Sequence, residues 1–419
     1  MYRKTVLGNG LSVVTETLPY FPTVSLGLWW KTGSRHETSE VNGISHFIEH
    51  MLFKGTKGRT AYDIAREIDA VGGSLNAFTG KEYTCLYARV LRRDMLLGLD
   101  VVCDMYKNSL FKEEDIEHEK QVVIQEIKMI EDNPEEYIFD IFNAGYYRDQ
   151  ALGLPILGSV ENVEALTKDM LLDRFSNHYS PANAILTATG RFDHEVLVAE
   201  IEERMSDLPV FNLSTDTAAT PVSHTTVDIR TKDLEHAYVC IGTDGTGQTD
   251  GRRYPLYALN TVVGGSMSSH LFQEIREKRG LAYNIFSYVN CFRDVGTFGI
   301  STSTSDDLIP EVIGLIQEEM ETIRRSGVSD DELAFAKEHI KGNFFMSLES
   351  SEARMGRLAK NEIYFEHYIP LKSTLQEIEK IKKSQLEEVA NMVCGDLTRM
   401  SLVVLGPVDE GKIRKLWNQ

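Results

Sequence analysis

The sequence predicts an α+β protein made of two duplicated domains, each with a mainly antiparallel sheet packed with long helices. Three observations lead to this fold class. The chain has 419 residues, which is enough for two or three domains with cores of their own. Its two halves repeat one order of apolar strands and long helical patterns. A stretch poor in large apolar residues and rich in Ser, Thr and Pro separates the halves.

The repeat can be followed through its elements in order. In each half, a strand breaks into a turn that contains glycine, a second strand passes through an aspartate into an apolar helix, and a helix with an acidic start follows. The matching positions, at offsets of 213 to 217, are Val24 with Ala237, Asp94 with Asp307 and Glu113 with Asp330. Any two α+β stretches can be made to resemble each other, but three ordered matches at nearly one offset favour a duplication.

The separating stretch divides the chain into domains. We place one domain at 1–213, a linker at 214–227 and a second domain at 228–419. Each domain then has about 210 residues, within the range of a single α+β domain.

The charge of the chain excludes some classes of partner. The 44 Lys+Arg stand against 63 Asp+Glu, a formal net charge of −19. Nucleic acids and anionic membranes are polyanions that such a field repels, so we expect neither as a main partner. A basic partner is the natural complement.

Composition also bears on location. The five cysteines are widely scattered without a CxxC pair, which is typical of a reducing compartment and indicates neither a disulfide framework nor a thiolate metal site. No stretch approaches the roughly 18 consecutive apolar residues of a membrane span. We therefore expect a cytoplasmic protein; a matrix protein whose organellar presequence had been removed would have the same features.

A candidate metal site lies in the first half. The run NGISHFIEHMLFKGT has apolar residues at helical spacing, which predicts a helix from about Gly43 to Phe53. His46 and His50, at positions i and i+4, share one face of that helix and can bind one metal ion. Glu49 lies between them and can reach a water that the metal activates. This is the HxxEH order of the inverzincins, the HExxH zinc motif reversed.

A catalytic zinc needs a third protein ligand from elsewhere. Glu119 and Glu126 lie seven residues apart, two helical turns, beside the apolar stripe of a predicted helix. Carboxylates at the border of an apolar stripe can point into a site, whereas a solvated acidic helix scatters them on the far side. Spacing alone leaves both interpretations open.

These residues resemble the pitrilysin or insulinase-type zinc metallopeptidases (M16), whose pattern is HxxEH followed by a glutamate some 75 residues later. The short length resembles the branch with the mitochondrial processing peptidase β-subunit and its bacterial homologues. The resemblance implies a metalloendopeptidase with zinc on His46, His50 and Glu126. It also implies that Glu49 is the general base and that Glu119 supports the site.

The resemblance continues through both halves. GGSLNAFTGKEYTCLYARV resembles the active-site edge strand of the family, on which Asn76 and Ala77 would hold a substrate backbone. GGSMSSHLFQEIREKRGLAYNI resembles the signature in which Arg276 and Tyr283 reach the scissile peptide and stabilise its oxyanion. Without the resemblance, a surface charge and a buried aromatic are the simpler interpretations of these two. His270 stands where we expect arginine.

The second copy has lost the metal ligands. At the repeat offsets, the five first-half site residues correspond to Leu259, Val262, Val263, Ala336 and Asn343. We therefore expect one zinc per chain. By the resemblance, the second copy closes on the first as a clamshell and completes a chamber for short or unfolded peptides.

Two alternatives stay open within this fold. The chain could be a catalytically silent scaffold or assembly subunit, or it could be active only with a partner subunit. The complete set of metal-site residues favours an enzyme, and Arg276 and Tyr283 in the same chain favour a self-sufficient one that can homodimerise.

The charge supplies a hypothesis about the substrate. Residues 1–210 hold 21 basic and 33 acidic side chains, net −12, whereas residues 211–419 hold 23 and 30, net −7. The acidic excess is therefore larger in the half with the metal motif. This distribution favours basic, presequence-like peptides as substrates.

Overall fold

A computed structural model describes residues 1–209 and 220–417, and the chain divides into two compact units. Unit 1 comprises Met1–Met129, Leu154–Ala218 and Ser347–Tyr368, and unit 2 comprises Ile130–Gly153, Ala219–Met346 and Ile369–Gln419. The predicted linker lies outside the described residues up to position 219, and its remainder before position 227 has no regular secondary structure. The predicted division at 1–213, 214–227 and 228–419 stays a prediction. None of the helices in residues 1–209 and 220–417 combines the length and the apolar composition of a transmembrane helix.

Unit 1 is built on a six-stranded mixed sheet. Its strands are β1 (Tyr2–Val6), β2 (Ser12–Thr17), β3 (Thr23–Trp30), β4 (Ser74–Thr79), β5 (Thr84–Leu91) and β6 (Ala184–Gly190). They lie in the order β1-β2-β6-β3-β5-β4, with β2 and β6 parallel and the other neighbours antiparallel. The central strand β3 alternates in the direction of its side chains, so that Leu28 and Trp30 join the main core while Trp29 joins a smaller core on the other face.

Unit 2 is built on a five-stranded sheet that repeats this arrangement. Its strands are β7 (Val227–Thr231), β8 (Ala237–Asp244), β9 (Asn284–Cys291), β10 (Gly296–Thr304) and β11 (Ser401–Gly406). Their order is β7-β11-β8-β10-β9, and β7 and β11 are the parallel pair. Taken in this order, the five strands correspond to β2, β6, β3, β5 and β4 of unit 1. The predicted duplication is thus confirmed strand by strand.

The helices repeat in the same order. They are α1 (Ile44–Leu52), α2 (Ala61–Asp69), α3 (Met95–Asn108), α4 (Glu113–Asp132), α5 (Pro134–Tyr146), α6 (Val160–Ala165), α7 (Lys168–His178), α8 (His194–Met205), α9 (Arg253–Val263), α10 (Ile309–Ser326), α11 (Asp330–Ser347), α12 (Ser351–Phe365), α13 (Leu371–Glu379), α14 (Lys383–Cys394) and α15 (Glu410–Trp417). The helices α4 and α11 begin at the acidic positions that the sequence predicted, Glu113 and Asp330. The α+β class with two helix-packed sheets is confirmed.

Two equivalent helices are exchanged between the units. Helix α5 comes from the first half of the sequence but packs on the sheet of unit 2, where Phe142 lies against Gly242. Helix α12 comes from the second half but packs on the sheet of unit 1, where Met355 lies against Gly27. A Cβ at Gly242 would lie 2.4 Å from the Phe142 ring, and one at Gly27 would lie 2.8 Å from the Met355 sulfur. The glycines therefore allow each helix to approach its sheet closely.

Candidate metal centre and active site

Helix α1 carries three of the candidate site residues. It begins after Gly43, whose φ of 98° is readily adopted only by glycine, and it ends before Phe53. These limits confirm the helix that the motif predicted. The apolar side chains of α1 are buried in the main core of unit 1: Ile44, Phe47, Ile48, Met51 and Leu52. This packing fixes the opposite face of the helix, on which the His46 and His50 rings lie 4.7 Å apart.

The N-terminus of α1 is held by a carboxylate from outside the helix. Glu37 is 4% exposed, and its side chain accepts hydrogen bonds from the backbone N–H groups of Gly43 and Ser45, both at 2.8 Å. The Asn42 side chain also donates to it, at 3.0 Å. A carboxylate at a helix N-terminus satisfies unpaired N–H groups and complements the helix dipole. Glu37 was not predicted as a site residue, because it lies six residues before Gly43 and therefore outside the predicted helix and its motif.

The predicted third ligand meets the two histidines. Glu126 on α4 places Oε2 at 3.7 Å from His46 Nε2 and at 3.5 Å from His50 Nε2. One ligand atom from each of the three residues lies within 4.8 Å of the others, so the structure brings together the ligand set that was expected. Spacing alone had left open that Glu126 belongs to a solvated acidic face of α4, and its position beside the two histidines argues against that alternative.

The spacing of these atoms fits a zinc ion. Zinc binds nitrogen and oxygen ligands at about 2.0–2.2 Å in a tetrahedral arrangement, which separates neighbouring ligand atoms by roughly 3.3–3.6 Å. The two nitrogen–oxygen distances at Glu126 are close to this value. Burial, and next the charge of His50, lower the pKa of His46 to about 4. His46 is therefore neutral at pH 7, the state in which an imidazole binds a metal.

The second histidine lies among carboxylates. Burial alone would lower the pKa of His50, but its hydrogen bonds with Glu119 and Glu126 outweigh burial and raise the pKa to about 9. The site thus stabilises a positive charge between these groups. A divalent cation can take the place of that proton, which makes the charge balance consistent with a metal centre.

Glu119 links His50 to a lysine. Its Oε2 lies 3.0 Å from His50 Nδ1, and its Oε1 lies 2.5 Å from Lys54 Nζ. Only 5% of the Glu119 side chain is exposed. Burial would raise the pKa of Glu119, but hydrogen bonds from His50 and Lys54 lower it, so the group is a carboxylate. Glu119 thus lies against His50, and its supporting role stays a prediction; Lys54, two residues beyond the end of α1, was not predicted.

Glu49 is connected to the edge strand of the sheet. Thr79 on β4 donates a hydrogen bond from Oγ1 to Glu49 Oε2 at 2.6 Å. Burial raises the pKa of Glu49, although the bond from Thr79 opposes this. Thr79 was not predicted as a site residue, because its contact with Glu49 depends on how β4 packs beside α1.

Strand β4 also carries the two predicted substrate-binding residues. Among the described strands it pairs only with β5 and forms one edge of the sheet. Asn76 is exposed and Ala77 is buried, and the Ala77 N–H donates to Asn76 Oδ1 at 2.9 Å. The structure places both residues on an edge strand beside the candidate metal centre, while their contact with substrate stays a prediction.

The two predicted residues of the second half lie together in unit 2. Arg276 belongs to a π-helical segment, Phe272–Glu277, and its guanidinium lies 4.7 Å from the Phe272 ring centroid and 5.2 Å from that of Tyr283. Tyr283 is 85% exposed, so the alternative of a buried aromatic is wrong. Their catalytic role stays a prediction.

The second copy has apolar or neutral residues in place of the metal ligands. Leu259, Val262 and Val263 lie on α9 and are buried in the core of unit 2. Ala336 and Asn343, on α11, take the positions of the two α4 glutamates. Within residues 1–209 and 220–417, the group of His46, His50 and Glu126 is the one cluster that could hold a metal ion.

Both parts of the chain match known protein families. Residues 12–160 match the family described as Insulinase (Peptidase family M16), and residues 165–340 match the Peptidase M16 inactive domain. The chain is 39% identical over 424 residues to an uncharacterized zinc protease of Streptomyces coelicolor, with 99% of this chain and 91% of that protein covered. It is 36% identical over 403 residues to the uncharacterized zinc protease YmxG of Bacillus subtilis, with 96% and 98% covered.

Solved structures share the fold. A protease from Helicobacter pylori superposes with a TM-score of 0.88 at 24% identity, with 97% of this chain and 99% of that chain covered. A structure described as a peptidase M16 inactive domain from Pseudomonas fluorescens gives 0.90 at 18% identity, with 97% and 98% covered.

Proposed function

Because the chain belongs to peptidase family M16, the insulinase family, we propose that it is a zinc-dependent endopeptidase that hydrolyses short or unfolded peptides. The observation that carries this proposal is the convergence of His46, His50 and Glu126 beside Glu49. We assign one zinc ion per chain to these three ligands.

We assign separate roles in hydrolysis to the residues around this site. When bound by these ligands, zinc would supply Lewis-acid activation, which lowers the pKa of a water molecule to roughly 7. Glu49 accepts a proton from the attacking water at its carboxylate and later delivers it to the amine of the leaving fragment. The bond from Thr79 to Oε2 fixes the carboxylate, so we assign proton transfer to Oε1.

Glu119 and Lys54 orient one ligand. When Glu119 accepts a hydrogen bond from His50 Nδ1, the neutral ring carries its proton on Nδ1, and the lone pair of Nε2 would be free to bind zinc. Lys54 balances the charge of the buried carboxylate. In this assignment both residues are positioning residues.

Arg276 and Tyr283 are the residues that we assign to the developing oxyanion. A guanidinium and a phenol are hydrogen-bond donors of the kind that stabilise such a charge, by about 3–4 kcal/mol in comparable sites. The exposure of Tyr283 leaves its hydroxyl accessible to a ligand. The stacking of Arg276 over the Tyr283 ring restricts the freedom of both side chains.

Substrate binding by strand addition follows from the open edge of β4. An extended peptide would hydrogen-bond to this edge, and Asn76 would release the Ala77 N–H to the peptide backbone. Only an unfolded segment can lie along a strand in this way. A folded protein should therefore resist cleavage, and its reduced and unfolded form should be cut; rapid degradation of a stable folded domain would contradict this part of the proposal.

Basic peptides are the substrates that the charge favours. The net charge of −19 attracts Lys- and Arg-rich segments over a distance that salt shortens. We expect added salt to raise KM for a basic peptide more than for a neutral peptide of equal length. Equal salt effects on both would mean that the acidity serves solubility only.

A catalytically silent scaffold is the alternative function. All five first-half site residues are present and assembled, which a protein without hydrolysis would not need. An active chain that requires a partner subunit is distinguished by assaying the purified chain alone.

The proposal is tested by a paired assay of Glu49→Gln. Zinc content and cleavage of a peptide library are measured on the wild type, on this variant and on Glu117→Gln, a matched change at an exposed residue of α4 that pairs with Lys120. We expect Glu49→Gln to keep its zinc and lose hydrolysis, and Glu117→Gln to keep both. Wild-type cleavage by Glu49→Gln, or no cleavage by the wild type, would overturn the proposal.

A further inference from the structure

His270 is the one residue at which the second-half signature departs from our sequence expectation, and it makes two strong contacts. Its Nδ1 lies 3.1 Å from Glu319 Oε2, and its Nε2 lies 2.6 Å from Glu332 Oε1. Glu319 belongs to α10, and Glu332 belongs to the first turn of α11. A single imidazole therefore ties the start of one helical segment to two separate helices.

The charges around His270 favour its protonated form. When both ring nitrogens donate, the ring is a cation between two carboxylates, an arrangement of charge-assisted hydrogen bonds. The bond with Glu319 raises the pKa of His270, burial opposes it, and the bond with Glu332 adds to the rise, to about 9. Glu332 is itself held by Ser329, whose N–H and hydroxyl both donate to its Oε2 at 2.7 Å. The imidazolium thus places a positive charge at the position where the resemblance led us to expect arginine.

The segment that His270 begins is an unusual one. It continues as the π-helical turns Phe272–Glu277, and it carries Arg276 six residues after His270. π-Helical geometry is rare and is found mostly at functional sites, where surrounding contacts must enforce it. Leu271 and Ile275 are completely buried and anchor one side of this segment. His270 supplies a polar anchor at its beginning.

We propose that His270 is a positioning residue, which fastens the π-helical segment to α10 and α11 and so holds Arg276 and Tyr283 in place. The catalytic meaning of this anchor rests on the proposed function; the anchoring itself does not. No contact of His270 with substrate is implied. The expected arginine would satisfy the same two carboxylates with a cation that does not titrate.

The first test measures the anchor without using activity. Hydrogen–deuterium exchange is followed at pH 7 in peptides from residues 264–283, for the wild type, His270→Gln, His270→Arg and the control His236→Gln, which changes an exposed histidine before β8. We expect the backbone amides of this segment to exchange roughly tenfold faster in His270→Gln, because the variant loses hydrogen bonds to charged groups. His270→Arg and His236→Gln should match the wild type. Unchanged exchange in His270→Gln would overturn the proposal.

The second test separates positioning from general stability. His270→Gln should lower kcat for a peptide substrate, and His270→Arg should restore it. Because Glu319 and Glu332 are the charged groups that face His270, the wild type should lose activity above about pH 9 by loss of the imidazolium, whereas His270→Arg should not. Identical alkaline profiles for the two proteins would contradict the anchoring role. Failure of the proposed function would appear differently, as absence of peptide cleavage with the exchange results intact.

Discussion

Replacing Glu37 by glutamine should weaken unit 1 although Glu37 lies outside the HxxEH motif. The carboxylate accepts two backbone N–H bonds at the N-terminus of α1 and a third bond from Asn42. Glutamine keeps the size of the side chain, but its NH₂ group cannot accept a hydrogen bond and its charge is zero. One buried N–H group therefore loses its partner, and the favourable interaction with the helix dipole is lost.

The magnitude follows from these two losses. A hydrogen bond to a charged group contributes about 1.5–3 kcal/mol. A partly buried charge at a helix terminus contributes about 1–2 kcal/mol. Some relaxation of the loop is expected, so we predict that Glu37→Gln destabilises unit 1 by about 2–4 kcal/mol.

Urea unfolding followed by tryptophan fluorescence measures this loss, because two of the three tryptophans, Trp29 and Trp30, lie in β3 of unit 1. Glu40→Gln is the matched control, since Glu40 is exposed three residues later and its hydrogen bonds with Thr38 and Ser39 are local. We also expect zinc to bind Glu37→Gln more weakly, because the helix that carries both histidine ligands is held less firmly. If Glu37→Gln is no less stable than Glu40→Gln, the assignment of Glu37 as the cap of α1 is wrong.

Three further perturbations address the neighbouring contacts. Lys54→Met removes the cation beside the buried Glu119 carboxylate, so zinc affinity in a chelator competition should fall about 10–100-fold. Lys54→Arg should recover part of this affinity. An unchanged affinity in Lys54→Met would exclude a supporting role for Lys54. Thr79→Val removes the hydrogen bond to Glu49, so steady-state kinetics should show kcat lowered about tenfold with little change in KM, while an effect on KM alone would argue against this contact. Burial, assisted by the charges of Arg174 and Arg35, lowers the pKa of His36 to about 4, below its unfolded value near 6.5, so protons bind the unfolded chain preferentially. Urea unfolding of unit 1 should thus show stability that falls from pH 7 towards pH 4, and His36→Gln should flatten this dependence; parallel curves would refute the role of His36.

Local patterns in the sequence predicted the parts of the site that depend on one element. His46, Glu49 and His50 share a helix face by spacing alone, and the limits of α1 agree with the prediction. Glu126 needed the family resemblance in addition, because spacing on α4 did not distinguish a ligand from a solvated carboxylate. The duplication was visible because equivalent strands and helices keep nearly constant offsets.

Contacts between distant elements were not predictable in this way. Glu37 caps α1 from a preceding loop, and Thr79 reaches Glu49 from a strand 30 residues later in the chain. The exchange of α5 and α12 between the units leaves no periodic signal, because the apolar periodicity of a helix does not indicate which sheet buries it. Such features depend on tertiary packing, and a single sequence does not show which of its distant residues will contact each other.

The zinc stoichiometry of the purified chain distinguishes a single metal site from a site in each copy. In the proposed function, the first copy has one metal site and its degenerate duplicate has none, so metal analysis should give one zinc per wild-type chain. His50→Ala should lose it, whereas Asn343→Ala, at the α11 position equivalent to Glu126, should retain it. Two zinc ions per chain would show that the second copy also binds metal, and full zinc retention by His50→Ala would show that His50 is not a ligand.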